Sequence, residues 1–278
     1  MSATDTLDEA TIRERLAALS PEIPWAHHFD LGFGIETVTP SDEQFYGKAT
    51  GLKKFGLLVA DLVPFHTRAA KLDGMRVLDV ACAEGEHSTR LASMGAEVVG
   101  IEGRPLYLER AKLAADVLGV SDRVDFRLGD VRSMSTQDLG TFDLVMASGI
   151  LHHLNTEAFA PFLKSLCELT RDTCVIYTHI ATPLAVERHR LQGPVSSAEG
   201  YEGYLFREHK DGASDKEKSD QVRASLDNTH SFWATEASFN KALIDSGFQS
   251  VFRSIKPHMF SNFDNASYRP VTVCRNVR

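Results

Sequence analysis

From Arg76 onward the chain repeats one pattern: a short run of β-branched and apolar residues, a turn, a helical segment, then another run. The runs are "RVLDVA", "AEVVGIE", "VDFRLGD", "FDLVMAS" and "CVIYTHI". Strands that alternate with helices must cross over between parallel neighbours, so this rhythm predicts an α/β fold around a parallel sheet. The intervening helices have readable ends. One runs from Ser88 to Met94 before Gly95, and one opens on Pro105 and closes at Gly119. A third follows Asn155, with Phe159, Phe162, Leu163 and Leu166 on one face. "TEASFNKALIDSGF" predicts a further capped helix, after which "VFRSIKP" and "RPVTVCRNV" predict a terminal antiparallel hairpin strand on the parallel sheet.

Two stretches fall outside this rhythm and define the expected domains: an N-terminal helical extension, residues 1–70, and a main domain, residues 71–278, with a lid-like insertion after strand five at about 181–233. The extension holds an amphipathic helix around Ile12, Leu16 and Leu19, the loop "PWAHHFDLGFGIETVTP" and a second helix from about Thr50 to Leu62. Within the insertion, the charge run from 211 to 223 reads as a solvated loop. Tyr201, Tyr204 and Phe206, with Trp233 beyond, read instead as walls for a substrate.

The chain has 278 residues, 43% of them hydrophobic, which suits one large α/β domain with additions. "FGLLVADLVPF" is interrupted by Asp61 and no run approaches a membrane span, so a cytoplasmic protein without a membrane partner is expected. The four cysteines are scattered and read as buried free thiols. A net charge of -8 argues against a nucleic-acid partner without excluding one, and a homodimer is left open.

In open α/β sheets the ligand lies beyond the carboxyl ends of the strands, at the first strand–helix turn. Here that turn is "VLDVACAEGEH", in which Ala81 and Ala83 replace two expected glycines and Glu84 and Glu86 supply two carboxylates. Alanine serves such a turn where φ stays negative, and Gly85 occupies the place where a positive φ is expected. The two acids would repel a pyrophosphate from the helix N-terminus and favour a cationic adenosyl ligand such as S-adenosylmethionine (SAM). In "GIEG", Glu102, followed by Gly103, stands about 20 residues beyond the turn, where an acid accepts hydrogen bonds from ribose hydroxyls. In "LGDVR", Asp130 is placed to accept the adenine amino group and the Val131 N–H to donate to the ring.

"VLDVACAEGEHSTRLASMGAEVVGIEG", "VDFRLGDV" and "FDLVMASGILHHL" resemble the successive motifs of class I SAM-dependent methyltransferases, over roughly residues 75–180. The resemblance implies a Rossmann-like sheet and SAM as cofactor. It implies that Asp79, Ala81, Ala83 and Gly85 line the methionine and ribose, Glu102 the ribose, Asp130 and Val131 the adenine, and Ser148 the edge nearest the methyl group. "HHFDLGFGIETVTP" and "IEGRPLYLERAKLAADVLG" look more narrowly like a subgroup that includes tRNA wobble-uridine alkylating enzymes and biosynthetic small-molecule methyltransferases.

Methyl transfer from a sulfonium needs alignment of the acceptor and removal of its proton, for which histidine is suited near neutral pH. His152 and His179, at the ends of strands four and five, are the catalytic candidates, whereas His153 reads as a packed or helix-capping residue. His27 or His28 is expected to close over the cofactor together with Trp25 or Phe29. No metal is expected, since neither a cluster of Mg²⁺-binding oxygens nor a zinc-type spacing exists. The resulting expectation is methylation of a small-molecule substrate. The rivals are a tRNA-modifying enzyme using Lys48, Lys53, Lys54 and Arg68 or Arg188 and Arg190 as a basic face, and a SAM-binding protein that transfers nothing.

Overall fold

The computed structural model describes residues 7–19, 22–38, 72–221, 223–254 and 267–276. The helix expected over 50–62, the expected division at residue 70, and Lys48, Lys53, Lys54 and Arg68 lie outside them. The chain divides into two compact units, residues 1–129 and 130–278.

In the first unit, helix α1 (Glu9–Ala17) starts where the Asp8 side chain accepts the Thr11 N–H, and it turns Ile12 inward. The described part of the loop expected over 24–40 contributes Trp25, Phe29, Leu31, Ile35 and Val38 to an apolar cluster with Ile12 and Ala114. Strands β1 (Arg76–Val80), β2 (Glu97–Glu102) and β3 (Val124–Leu128) pair in parallel in the order β3-β2-β1. Residues Val77 to Val80 are buried without alternation, as in a strand covered on both faces. Helix α2 (Glu86–Ser93) follows β1, and α3 (Pro105–Val117) follows β2 with proline at its start, where a missing N–H leaves no bond unmade.

In the second unit, a short helix α4 (Thr136–Leu139) precedes β4 (Phe142–Ser148), and α5 (Thr156–Leu169) runs into β5 (Thr170–Tyr177). The Asn155 side chain caps α5 through the Ala158 N–H, and Phe159, Phe162, Leu163 and Leu166 form its buried face. Strand β5 is parallel to β4 and antiparallel to β10 (Val271–Arg275), which in turn pairs with β9 (Ser250–Ser254), giving the expected terminal hairpin.

The insertion is more ordered than its weak periodicity predicts. After α6 (Pro183–His189), strands β6 (Gln192–Ser196), β7 (Glu202–Arg207) and β8 (His230–Ala234) form their own antiparallel sheet. A Cβ at Gly203 would lie 2.4 Å from the Phe232 ring, so only glycine lets β7 approach β8. The charge run holds a solvated one-turn helix α7 (Asp215–Ser219) with a Ser214–Glu217 capping box. Helix α8 (Glu236–Asp245) follows, and the described helices include none long and apolar enough to cross a membrane.

Candidate functional site

The turn after β1 is held by backbone bonds: the Cys82 N–H donates to the Ile101 carbonyl at 3.0 Å, and the Gly85 N–H to the Cys82 carbonyl at 2.8 Å. Within it Ala81 (φ 57), Ala83 (φ 48) and Gly85 (φ 77) are all left-handed. The expectation that the alanines keep a negative φ is therefore overturned. The closed turn and the bond from the Ala83 N–H to Glu102 Oε2 at 3.0 Å dictate the backbone, and each alanine is left in a strained conformation. Gly85 is doubly constrained, because a Cβ there would also meet Phe126 at 2.8 Å.

The four acids around this turn differ in role. Glu84 is fully buried, pairs with Arg110 Nη1 at 2.9 Å and accepts the Ala26 and His27 N–H groups at 2.9 and 2.8 Å. Arg110 also donates to the carbonyls of Leu19, Ile23 and Pro24 and lies over the Trp25 ring. The Glu84 charge is thus spent on locking the N-terminal segment, which corrects the reading that it faces a ligand. Burial works against the charge of Glu86, yet His87 beside it and Arg90 at 3.2 Å hold its carboxyl down at about 2. Asp79 is 1% exposed and accepts the Ser88 hydroxyl at 2.6 Å; burial pushes its carboxyl above the ordinary value.

Glu102 ends β2, its carboxyl likewise raised by burial. Its two oxygens accept the Ala83 N–H and, at 2.8 Å, the Arg104 N–H. Both are thereby oriented while keeping lone pairs to offer a vicinal diol. Gly103 follows, half-buried. Phe29 packs in the apolar cluster against Trp25 at 5.8 Å, His28 Nε2 lies 3.6 Å from Glu36, and His27 Nδ1 lies 3.1 Å from Glu84.

In the second unit, Asp130 binds Arg132 through both oxygens, at 3.0 and 2.7 Å, and this partner lowers its carboxyl. Arg132 reaches on to Asp227 of the insertion at 2.7 Å. The exposed carboxylate at 130 is therefore already engaged, while Val131 is buried beside it. Ser148 closes β4.

Beyond Ser148 the described residues bring four histidines and three aromatic rings together. His152 and His153 lie on a 3-10 turn, Leu151–His153, and His179 follows β5. The His152 and His179 rings stack at 3.9 Å, and His153 lies 4.3 Å from His152. His152 Nδ1 accepts the His179 N–H at 3.3 Å, and Trp233 Nε1 donates to the His152 carbonyl at 3.1 Å. Trp233 packs edge-on against His179 and His189 and stacks on Phe206, with Tyr268 adding a further wall. Burial, then neighbouring positive groups, push His152 and His179 well below the ordinary imidazole value, so both are neutral at pH 7.

Of the predicted aromatic walls, Phe206 and Trp233 join this cluster and Tyr204 sits opposite Trp233 in the β7–β8 register. Tyr201 packs on Phe159, and its hydroxyl donates to Asp245 at 2.7 Å. Sequence reasoning missed Glu208, whose Oε1 lies 2.7 Å from His153 Nδ1. It stands in a polar tract 55 residues from its partner, and nothing local marks it.

Residues 77–173 match a family model described as a methyltransferase domain. The chain is 39% identical over 84 residues to a ubiquinone biosynthesis O-methyltransferase of Azorhizobium caulinodans, and 35% identical over 83 residues to that of Methylocella silvestris. These matches span 30% of this chain and about a third of the relatives' own length (32% and 31%). The N-terminal domain of EvdMO1, solved in the presence of S-adenosylhomocysteine (SAH) and D-fucose, superposes with a TM-score of 0.70 at 21% identity, each chain covered in full. Magnesium protoporphyrin IX methyltransferase from Synechocystis PCC 6803, with bound SAH, gives 0.54 at 18% identity over 97% of this chain and 100% of its own. The chain shares their Rossmann-like α/β fold.

Proposed function

We propose, from the premise that residues 77–173 match a methyltransferase domain, that this protein binds SAM and transfers its methyl group to a hydroxyl of a small-molecule acceptor. The observation that carries the reading is Glu102. Its carboxylate ends β2 beside a turn of small residues, with both oxygens pre-oriented by backbone N–H groups. This is an acceptor built for paired ribose hydroxyls, and the left-handed turn keeps side chains clear where a ligand must approach the backbone. The names of the O-methyltransferase relatives support oxygen as the acceptor atom.

In this reading the first unit holds the donor. SAM supplies an activated methyl group, and the chain's contribution is to bind the adenosyl portion and align the reactants. The histidine and aromatic cluster of the second unit receives the acceptor, with Trp233 and Phe206 offering ring faces and His152 and His179 neutral polar edges. A cytoplasmic location belongs to the same reading, in keeping with four buried cysteines that stay free.

Calorimetric titration of the purified chain tests the donor half: SAM and SAH should bind, and NAD and ATP should not. Uptake of NAD or ATP with no response to SAM would sink the reading. Transfer of tritiated methyl from SAM into small hydroxyl compounds tests the acceptor half. Transfer into tRNA in their place would assign the wobble-uridine alternative.

A further inference from the structure

We propose that His153 and Glu208 form the proton-accepting pair of the acceptor half: His153 Nε2 is the catalytic base for the acceptor hydroxyl, and Glu208 is the positioning residue behind it. The inference rests on the methyl-transfer reading above and assigns the base within it.

Hydrogen-bond roles lead to this assignment. Glu208 is buried, its side chain 1% exposed, on the segment that leaves β7. Burial alone would raise its carboxyl, but the His153 hydrogen bond and charge, the Ser231 hydroxyl and the Ser225 N–H bring it below the ordinary value. It is therefore ionised at neutral pH and can only accept. Ser231 Oγ donates to Oε1 at 2.7 Å and the Ser225 N–H to Oε2 at 3.1 Å, so the carboxylate is fixed from both sides. A carboxylate 2.7 Å from Nδ1 requires the proton on Nδ1, which leaves the lone pair on Nε2. The His153 side chain is 21% exposed, so its outer edge is reachable where Glu208 is not. The Asn228 amide grips the His153 carbonyl at 2.9 Å and fixes the turn that carries the ring.

His152 is set up the opposite way. Its Nδ1 accepts the His179 N–H, which places its own proton on Nε2 and makes its free edge a donor. His152 can therefore hold an acceptor oxygen but is not in the tautomer that takes a proton. His179 Nδ1 is buried and has no hydrogen-bond partner among the described residues, and the charged neighbours that act on His179 among them are Arg269, His153 and His189, none of which stabilises an imidazolium. Among the described residues, the titratable groups that face His153 are Glu208 from the insertion, His152 on its own turn and His179 after β5.

The step balances without a further reactant. The acceptor oxygen bonds the methyl carbon while the carbon–sulfur bond breaks and its electron pair stays on sulfur, giving SAH as a neutral thioether. The hydroxyl proton moves to His153 Nε2, the Glu208 carboxylate stabilises the imidazolium, and the ring then returns one proton to water.

Two measurements on the full chain decide it. Long-range ¹⁵N–¹H correlation of the histidine side chains at pH 7.5 should show His153 as the Nδ1–H tautomer with a bare Nε2, and His152 as Nε2–H. A His153 ring protonated on Nε2 overturns the proposal, and this readout needs no substitution and no acceptor. Methyl transfer from SAM to a catechol and to D-fucose gives the kinetic arm. His153→Ala should lower kcat at least about 100-fold with the KM for SAM unchanged. Glu208→Gln should lower kcat about 10-fold or more with the KM for SAM unchanged, and Glu208→Asp should partly restore it. Unchanged turnover in His153→Ala overturns the assignment, as does a Glu208→Gln variant that keeps wild-type turnover or whose loss lies in the KM for SAM instead of kcat. Absence of transfer by the wild type to either probe would count against the hydroxyl-acceptor reading, while the tautomer measurement would still decide the pair.

Discussion

The elbow after β1 and the histidine cluster beyond β4 both bury ionisable groups, and they handle the cost differently. Around the elbow, Glu84 is paired with Arg110, Glu86 keeps its charge beside Arg90 and His87, and Glu102 is wrapped by backbone N–H groups. In the cluster, stacked imidazoles lose their charge to burial, and among the described residues the Glu208 carboxylate lies behind His153. A frame of fixed charges suits a ligand whose own charge is permanent. A set of neutral imidazoles with one carboxylate behind it suits a proton that must move.

The most demanding test of this contrast is Arg110→Ala. It leaves Glu84 buried without its guanidinium partner and removes the ties to the Leu19, Ile23 and Pro24 carbonyls. Breaking one side of a buried pair costs about 3 to 5 kcal/mol, so the urea midpoint should fall steeply. Arg110→Met combined with Glu84→Gln should recover much of that loss. A cost below about 1 kcal/mol would mean that the elbow does not depend on fixed charges.

Next in size, Glu102→Ala should weaken SAM by about 1.5 to 3 kcal/mol, the range for hydrogen bonds to a charged group, when read by calorimetry. Unchanged affinity would remove the ribose assignment and with it the distinction between acids that build the elbow and acids that serve a ligand.

Sequence alone was sufficient where one local cause decides the outcome. Phe142 to Ser148 is a mostly apolar run and is strand β4 over that span, and Asn155 caps α5 where its residue type predicts. It fell short where partners lie far apart in the chain. Strand β5 begins at Thr170, four residues before its apolar run, because a register shift against β4 accommodates polar Arg171 and Asp172. Glu84 read as a ligand-facing acid because Arg110 stands 26 residues away on another helix. His153 read as packing because Glu208 lies in a tract of charges.

Asp79→Asn sharpens the comparison from inside the elbow. Asp79 has no cationic side chain hydrogen-bonded to it among the described residues, and burial raises its carboxyl above the ordinary value. The folded protein therefore disfavours the ionised form. Wild-type stability from this group is present below the unfolded value of 3.8 and is lost as pH rises through the raised folded value. The asparagine variant can still accept from Ser88 and escapes that loss. Its unfolding free energy from urea denaturation should match wild type in acid and exceed it near pH 7 by about 1 kcal/mol. A variant less stable at pH 7 would show that Asp79 is fixed as firmly as Glu84.

The smallest effect tests the backbone beneath both kinds of acid. An Ala→Gly exchange within a helix costs about 0.5 to 1 kcal/mol, because glycine has more freedom to lose on folding. At Ala83, with φ 48, the same exchange removes a Cβ from a left-handed residue, where the side chain itself is the source of strain. The two terms oppose each other, so Ala83→Gly and Ala81→Gly should leave stability unchanged or raise it by less than about 1 kcal/mol in urea denaturation. If both cost as much as a helical exchange, the turn would not hold its left-handed geometry in solution. The small-residue cradle beside Glu102 would then form only around a ligand.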